Sequence, residues 1–138
     1  MYATQANMVT RFGEQELIQL TDRAQPANEV IDTAVLAAAM ARADAFVDGY
    51  LRTRYIVPVV PTLPEIANVA EGIARRYLYD DGAPEGVTDL YKEAVAWLTA
   101  VQAGKVQLDA TLAPASTTGG AIGTAQFNES RNDFACAY

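Results

Sequence analysis

From Val35 to Leu51 the apolar residues Val35, Leu36, Ala39, Met40, Ala43, Val47, Tyr50 and Leu51 recur at i, i+3, i+4 and i+7 spacing. That period belongs to an α-helix with one buried face, and it is incompatible with the two-residue alternation of a half-buried strand. Asp32 stands where an N-cap is needed, so a helix from Asp32 to about Arg54 is expected, with Arg42, Asp44, Asp48 and Arg52 on its other side. Ala34 and Ala37–Ala39 leave a smooth face on which a second helix can approach closely.

Two further stretches repeat the pattern. Ile66, Val69, Ala70, Ile73 and Tyr77 mark a helix with Thr62 as its expected cap and Pro64 in its first turn, ending near Asp80-Asp81-Gly82-Ala83-Pro84. Val87, Leu90, Tyr91, Ala94, Val95, Leu98 and Val101 mark another from Glu85 or Gly86 to Ala103, with Gly104 as its C′ residue and Trp97 at the margin of its stripe. Before these, residues 5–12 read as a short helix capped by Thr4 and stopped by Gly13, and Glu14–Leu20 as a second short one. Pro58, Pro61 and Pro64 predict an extended, polyproline-like path between the first two long helices. Lys105–Leu108 alternates and predicts a short strand.

The expected fold class is therefore mainly α, a small helical bundle over residues 1–112. From Ala113 the sequence turns small and linker-like, through Ser116, Thr117, Gly119, Gly120 and Gly123, before aromatic residues return. Residues 113–138 read as an extended C-terminal arm, whose 26 residues span roughly 80 Å when fully extended.

Composition narrows the function. With 138 residues, 51% hydrophobic, one domain with a real core is expected without metal or disulfide. No apolar run approaches the roughly 20 residues of a membrane span. The N-terminus lacks the basic and apolar regions of a signal peptide, so cytoplasmic synthesis is expected. Seventeen acidic residues against ten basic ones give a net charge of −7, and the basic residues are scattered. This disfavours a domain that grips nucleic acid by counterion release. An acidic surface serves solubility, or lines a passage that DNA crosses without sticking.

Catalytic arrangements fail one by one. The only cysteine, Cys136, has no partner for a disulfide, and the chain has no histidine to act as base or ligand. Asp22–Asp32 imitates a calcium loop, but Ala24, Pro26 and Ala27 occupy its third, fifth and sixth positions. Asp80-Asp81 reads as turn chemistry, and Gly119–Thr124 lacks the Lys and the preceding strand of a phosphate loop. Tyr50, Tyr55, Tyr77, Tyr79 and Tyr91 sit at helical spacing among apolar residues, as core and core margin do. No catalytic, metal-binding or cofactor-binding residue is expected, and an enzyme is not.

A family resemblance rests on Met1–Ala6, Arg11–Asp22, Ile31-Asp32, Ala43–Ala45, Asp48–Leu51, Arg54-Tyr55, the Pro58/Pro61 stretch, Ile73–Asp81 and Ala103–Val106. Over roughly residues 1–108 the chain resembles the head–tail connector (adaptor, head-completion) proteins of Mu-like phages and prophages. Relatives often carry an Asp-rich, Gly-containing loop after the Thr-Asp, replaced here by Arg23–Asn28, so no metal carries over.

The resemblance implies a structural virion protein, made in the host cytoplasm and placed at the head–tail interface. Its helical subunits would form a homo-oligomeric ring, typically dodecameric, between the portal protein and a stopper or tail-terminator protein. DNA would pass through with only transient, non-specific contact, and no membrane is involved. The arm would dock on the portal or on a neighbouring subunit through Phe127, Phe134 and Tyr138. Asp44, Asp48 and Glu71 are candidates to line the channel, with a solvated outer face as the competing expectation. Rival roles are another neck protein (a stopper or tail terminator), a small cytoplasmic helical module that binds a protein, and a packaging factor that contacts DNA directly.

Overall fold

The computed structural model describes residues 1–114, built as five helices: α1 (Gln5–Phe12), α2 (Glu14–Thr21), α3 (Thr33–Leu51), α4 (Pro64–Leu78) and α5 (Glu85–Gln102). The Asp32 carboxylate accepts from Ala34 N and Val35 N at 3.0 and 3.2 Å, which fixes the start of α3. From there Leu36, Ala39, Met40, Ala43, Val47 and Leu51 are buried, the face that the spacing defined. The helix stops at Leu51, earlier than the expected Arg54. Arg52–Arg54 form a turn in which Arg54 N and Tyr55 N both donate to Leu51 O, and the turn delivers Tyr55 into the core.

The chain is mainly helical, a small bundle in which α3 packs most extensively on α4, α4 on α5, and α5 on α3. Ile66, Ala70, Ile73, Ala74 and Leu78 of α4 meet Ala94, Leu98 and Val101 of α5 in one core with the α3 face. Each large side chain buried there contributes roughly 1.5–3 kcal/mol. Gly72 lets α4 and α5 close up, since a Cβ at that position would lie 3.2 Å from Leu90 Cγ.

The short helices α1 and α2 meet at Gly13, whose φ of 96° is open to glycine at little cost. Thr4 caps α1 through Asn7 N, and α2 lies against α3. Thr21 joins the two parts. Its buried hydroxyl donates to Leu17 O at 2.8 Å and accepts from Asp32 N at 2.9 Å.

Three local expectations need correction. The proline segment bends at Val57-Pro58 and again at Val60-Pro61 and does not run as a straight polyproline strap. The bends curl Val59 inward, where it is buried and its N–H donates to the Tyr2 hydroxyl at 3.0 Å. Thr62 does not cap α4. Leu63 holds the N-cap position without a side-chain bond, and Pro64 at the helix start has no N–H to satisfy. Lys105–Leu108 is not a strand: Lys105 N and Val106 N turn back to Ala100 O, and Leu108 N donates to the Tyr55 hydroxyl at 2.9 Å. The extended contact comes later, as an antiparallel bridge of Tyr55 with Leu112, flanked by Ile56 N to Thr111 O and Ala113 N to Arg54 O.

Candidate functional site

Of the described residues singled out by sequence, Asp44 and Asp48 are brought together through Tyr2, while Glu71 is bonded elsewhere, to Arg11. Asp44 and Asp48 stand one turn apart on α3, half-buried, and both are engaged by the N-terminus. Tyr2 N donates to Asp44 Oδ1 at 3.1 Å, while the Tyr2 hydroxyl donates to Asp48 Oδ1 and accepts from Val59 N. Burial raises the Asp44 carboxyl above its ordinary value, and the Tyr2 N–H opposes that shift. Burial first, then the bond to Asp48, pushes the Tyr2 phenol well above its ordinary value, so it stays a donor. This knot pins the chain start to α3 and to the proline segment.

Glu71 requires a plain correction. It is 4% exposed and therefore cannot contribute to a solvated acidic face. Its Oε1 accepts from Arg11 Nη1 at 3.0 Å, and the same nitrogen donates to Asn68 O at 2.8 Å. Nearby, Arg75 grips Glu16 in a two-pronged pair, Nε to Oε2 at 2.6 Å and Nη2 to Oε1 at 2.8 Å. The Phe12 ring lies near both guanidiniums, 5.1 Å from that of Arg11 and 4.5 Å from that of Arg75. These contacts clamp α1 and α2 onto α4. Nothing in local spacing announces them, because the partners are 59 and 60 residues apart.

The loop at Asp22 uses its carboxylate internally, accepting from Ala24 N at 3.3 Å and Glu29 N at 2.6 Å. Asp80 makes an exposed pair with Arg23 at 3.6 Å, of the kind that contributes little. Among the described residues no three His, Cys, Asp or Glu side chains converge as metal ligands, and no helix is long and apolar enough to cross a membrane. Phe46, Tyr50, Tyr77 and Tyr91 form an aromatic cluster with ring centroids 5.2–6.5 Å apart, and Arg42 lies 4.3 Å over Tyr77. Those tyrosines sit at the core margin, where the spacing put them.

Two concave surfaces among the described residues have apolar side chains in their walls. Between α4 and α5 a groove of about 290 Å³ has Val69, Leu90, Ala94 and Trp97 in its walls and Glu65, Asn68, Glu93 and Arg11 around it. At the opposite character, Ile56, Pro58 and Val60 line a shallow cleft with Thr111, next to Leu112. Ile56, Val60 and Leu112 are 49%, 80% and 60% exposed. Scattered single apolar residues are ordinary; Ile56 and Val60 are neighbours in this cleft, while Leu112, paired with Tyr55, stands on the other face of the bridge. The sequence reading missed this cleft because Ile56 and Thr111 are brought together only by the return of the chain after α5. Phe127, Phe134 and Tyr138, the expected anchors of the arm, lie outside the described residues.

With the fold and surfaces in view, comparison with known proteins places the chain. A sequence model of the family described as "Bacteriophage Mu, Gp36" matches residues 2–125. "Gene product J" of Escherichia phage Mu is 37% identical over 106 residues, covering 75% of this chain and 73% of that protein. The match spans the N-terminal knot, the clamp and the whole helical bundle. The chain belongs to the phage Mu Gp36 family.

Proposed function

We propose that this phage protein is a head–tail adaptor, a subunit of a homo-oligomeric ring seated between the portal and the next neck or tail component. The observation that carries the reading is the exposed apolar pair of Ile56 and Val60 in the cleft beside Thr111. A bundle whose core is already closed has no internal use for those side chains, and a neighbouring subunit would cover them. The ring would be dodecameric, in keeping with the resemblance to phage connectors. Residues 113–138 would act as an arm, with Phe127, Phe134 and Tyr138 docking on the portal or on a neighbouring subunit.

The net charge of −7 supports a channel role, because an acidic wall does not hold the DNA backbone. Glu71 has no part in that wall, being buried on Arg11. Asp44 and Asp48 are half-buried against Tyr2, and together with exposed acidic residues they would line the channel.

The test is assembly of the V60D variant beside the unaltered chain, followed by sedimentation velocity with purified cognate portal. Val60 is exposed, so the variant keeps its helical circular dichroism. The expected result is a portal-bound ring with the unaltered chain and none with V60D. Equal ring formation by both would remove the pair from the account.

A further inference from the structure

The groove between α4 and α5 has a mixed character. Its walls carry the apolar side chains of Val69, Leu90, Ala94 and Trp97, and Glu65 and Glu93 stand exposed at its edge. Neither carboxylate has an ion-pair partner among the described residues. A ligand suited to it would bring aromatic or aliphatic side chains with one cation among them.

The chain carries such a segment at its own end. Phe127, Arg131, Phe134 and Tyr138 fall at i, i+4, i+7 and i+11, the spacing of one narrow helical stripe, while Glu129 and Asp133 fall on the opposite side. Three aromatics with a single arginine among them match an apolar groove edged by two carboxylates, as amphipathic helices match their receptors.

The connection is long enough. Ala113 N bonds to Arg54 O, and Arg54 lies against Gly104 at the end of α5. Trp97 is seven residues back along that helix, on the order of 10 Å at 1.5 Å per residue. Residues 115–126 reach roughly 40 Å when extended. A tether of that length keeps the segment at a high local concentration, which favours docking within the same chain over capture from another.

We propose that the α4–α5 groove is the docking site for the chain's own residues 127–138, with the aromatics against its apolar walls and Arg131 beside Glu65 and Glu93. The docked segment holds the arm on its own subunit until a competing surface takes the same aromatics. The docking stands or falls separately from ring formation, since it concerns the isolated chain.

Trp97 is the only tryptophan in the sequence and lines the groove, so it reports occupancy directly. Acrylamide quenching of Trp97 would be measured on the full chain, on R131E, on the F127A/F134A double variant, and on R131E combined with E65R and E93R. The substitutions at 127, 131 and 134 lie outside the helices α1–α5, and circular dichroism checks that the bundle is intact in every variant. The expected result is protection of Trp97 in the full chain, unchanged on dilution. R131E and F127A/F134A lose that protection, and the charge-swapped combination regains it. Equal quenching in the full chain, R131E and F127A/F134A would overturn the proposal. Protection that disappears on dilution would overturn it too, in favour of the segment of a second copy.

Discussion

The bundle α3–α4–α5 and the N-terminal limb (Met1–Thr21) are joined to the same core, yet they are held by different forces. The bundle closes through apolar faces: Leu36, Val47, Ile73, Leu98 and Val101 are fully buried. The limb contributes Met8 and Leu17 to that core, but its position is set by polar contacts. Tyr2 is tied to Asp44, Asp48 and Val59, Arg11 to Glu71, and Glu16 to Arg75. Non-directional burial supplies most of the stability, while directional pairs decide where a short helix sits. Helices as short as α1 and α2 are marginal alone, so they depend on such partners.

The sharpest contrast comes from removing one group in each region. Leu98→Ala opens a cavity in the bundle core, with an expected loss of about 2–5 kcal/mol in denaturant unfolding. A loss under 1 kcal/mol would mean that the core between α4 and α5 is not well packed. In the limb, Arg11→Ala leaves the Glu71 carboxylate, 5% exposed, without its cation. The expected loss is about 1–2 kcal/mol, lowered because the Arg11 side of the pair is open to solvent. Arg11→Lys restores part of it, and an alanine variant as stable as the parent would show that the clamp is decorative.

Thr21→Val acts at the joint between the regions. The methyl fits where the hydroxyl was, but Asp32 N then loses its acceptor, so a loss of about 1–2 kcal/mol is expected. Hydrogen exchange should show the start of α3 loosened while α4 and α5 keep their protection.

The smallest effect is expected at Tyr2, where Tyr2→Phe removes the acceptor of Val59 N and the donor to Asp48 at a cost of about 1 kcal/mol near neutral pH. Its pH signature is more telling than its size. Burial holds the Tyr2 and Tyr77 phenols above their ordinary value of 10.0. As the pH passes 10 the unfolded chain sheds its phenol protons first, so the folded state binds more protons and stability falls with rising pH. Tyr2→Phe removes one of these groups and should make the alkaline decline shallower. An unchanged slope would show that Tyr2 is not the group responsible.

This division explains what was legible in the sequence. The stripes of α3, α4 and α5 are periodic, so helix faces such as Leu36–Ala39–Met40–Ala43–Val47 could be read directly. The Asp32 and Thr4 caps were equally local. The proline segment misled because proline fixes φ but not the bends that bring Val59 inward. Glu71 misled because its period on α4 does not disclose Arg11, which arrives from 60 residues away. Tyr2 gave no signal at all, since a lone aromatic at the chain start becomes an anchor only when Asp44, Asp48 and Val59 converge on it. The apolar cleft of Ile56 and Val60 likewise exists only once Thr111 returns to Ile56.

The most direct test of the adaptor reading is mass photometry of the full chain, alone and mixed with the cognate portal ring. The account predicts a discrete gain in mass equal to a complete ring of subunits on every portal, with few partial occupancies. A portal whose mass is unchanged at saturating protein would contradict it.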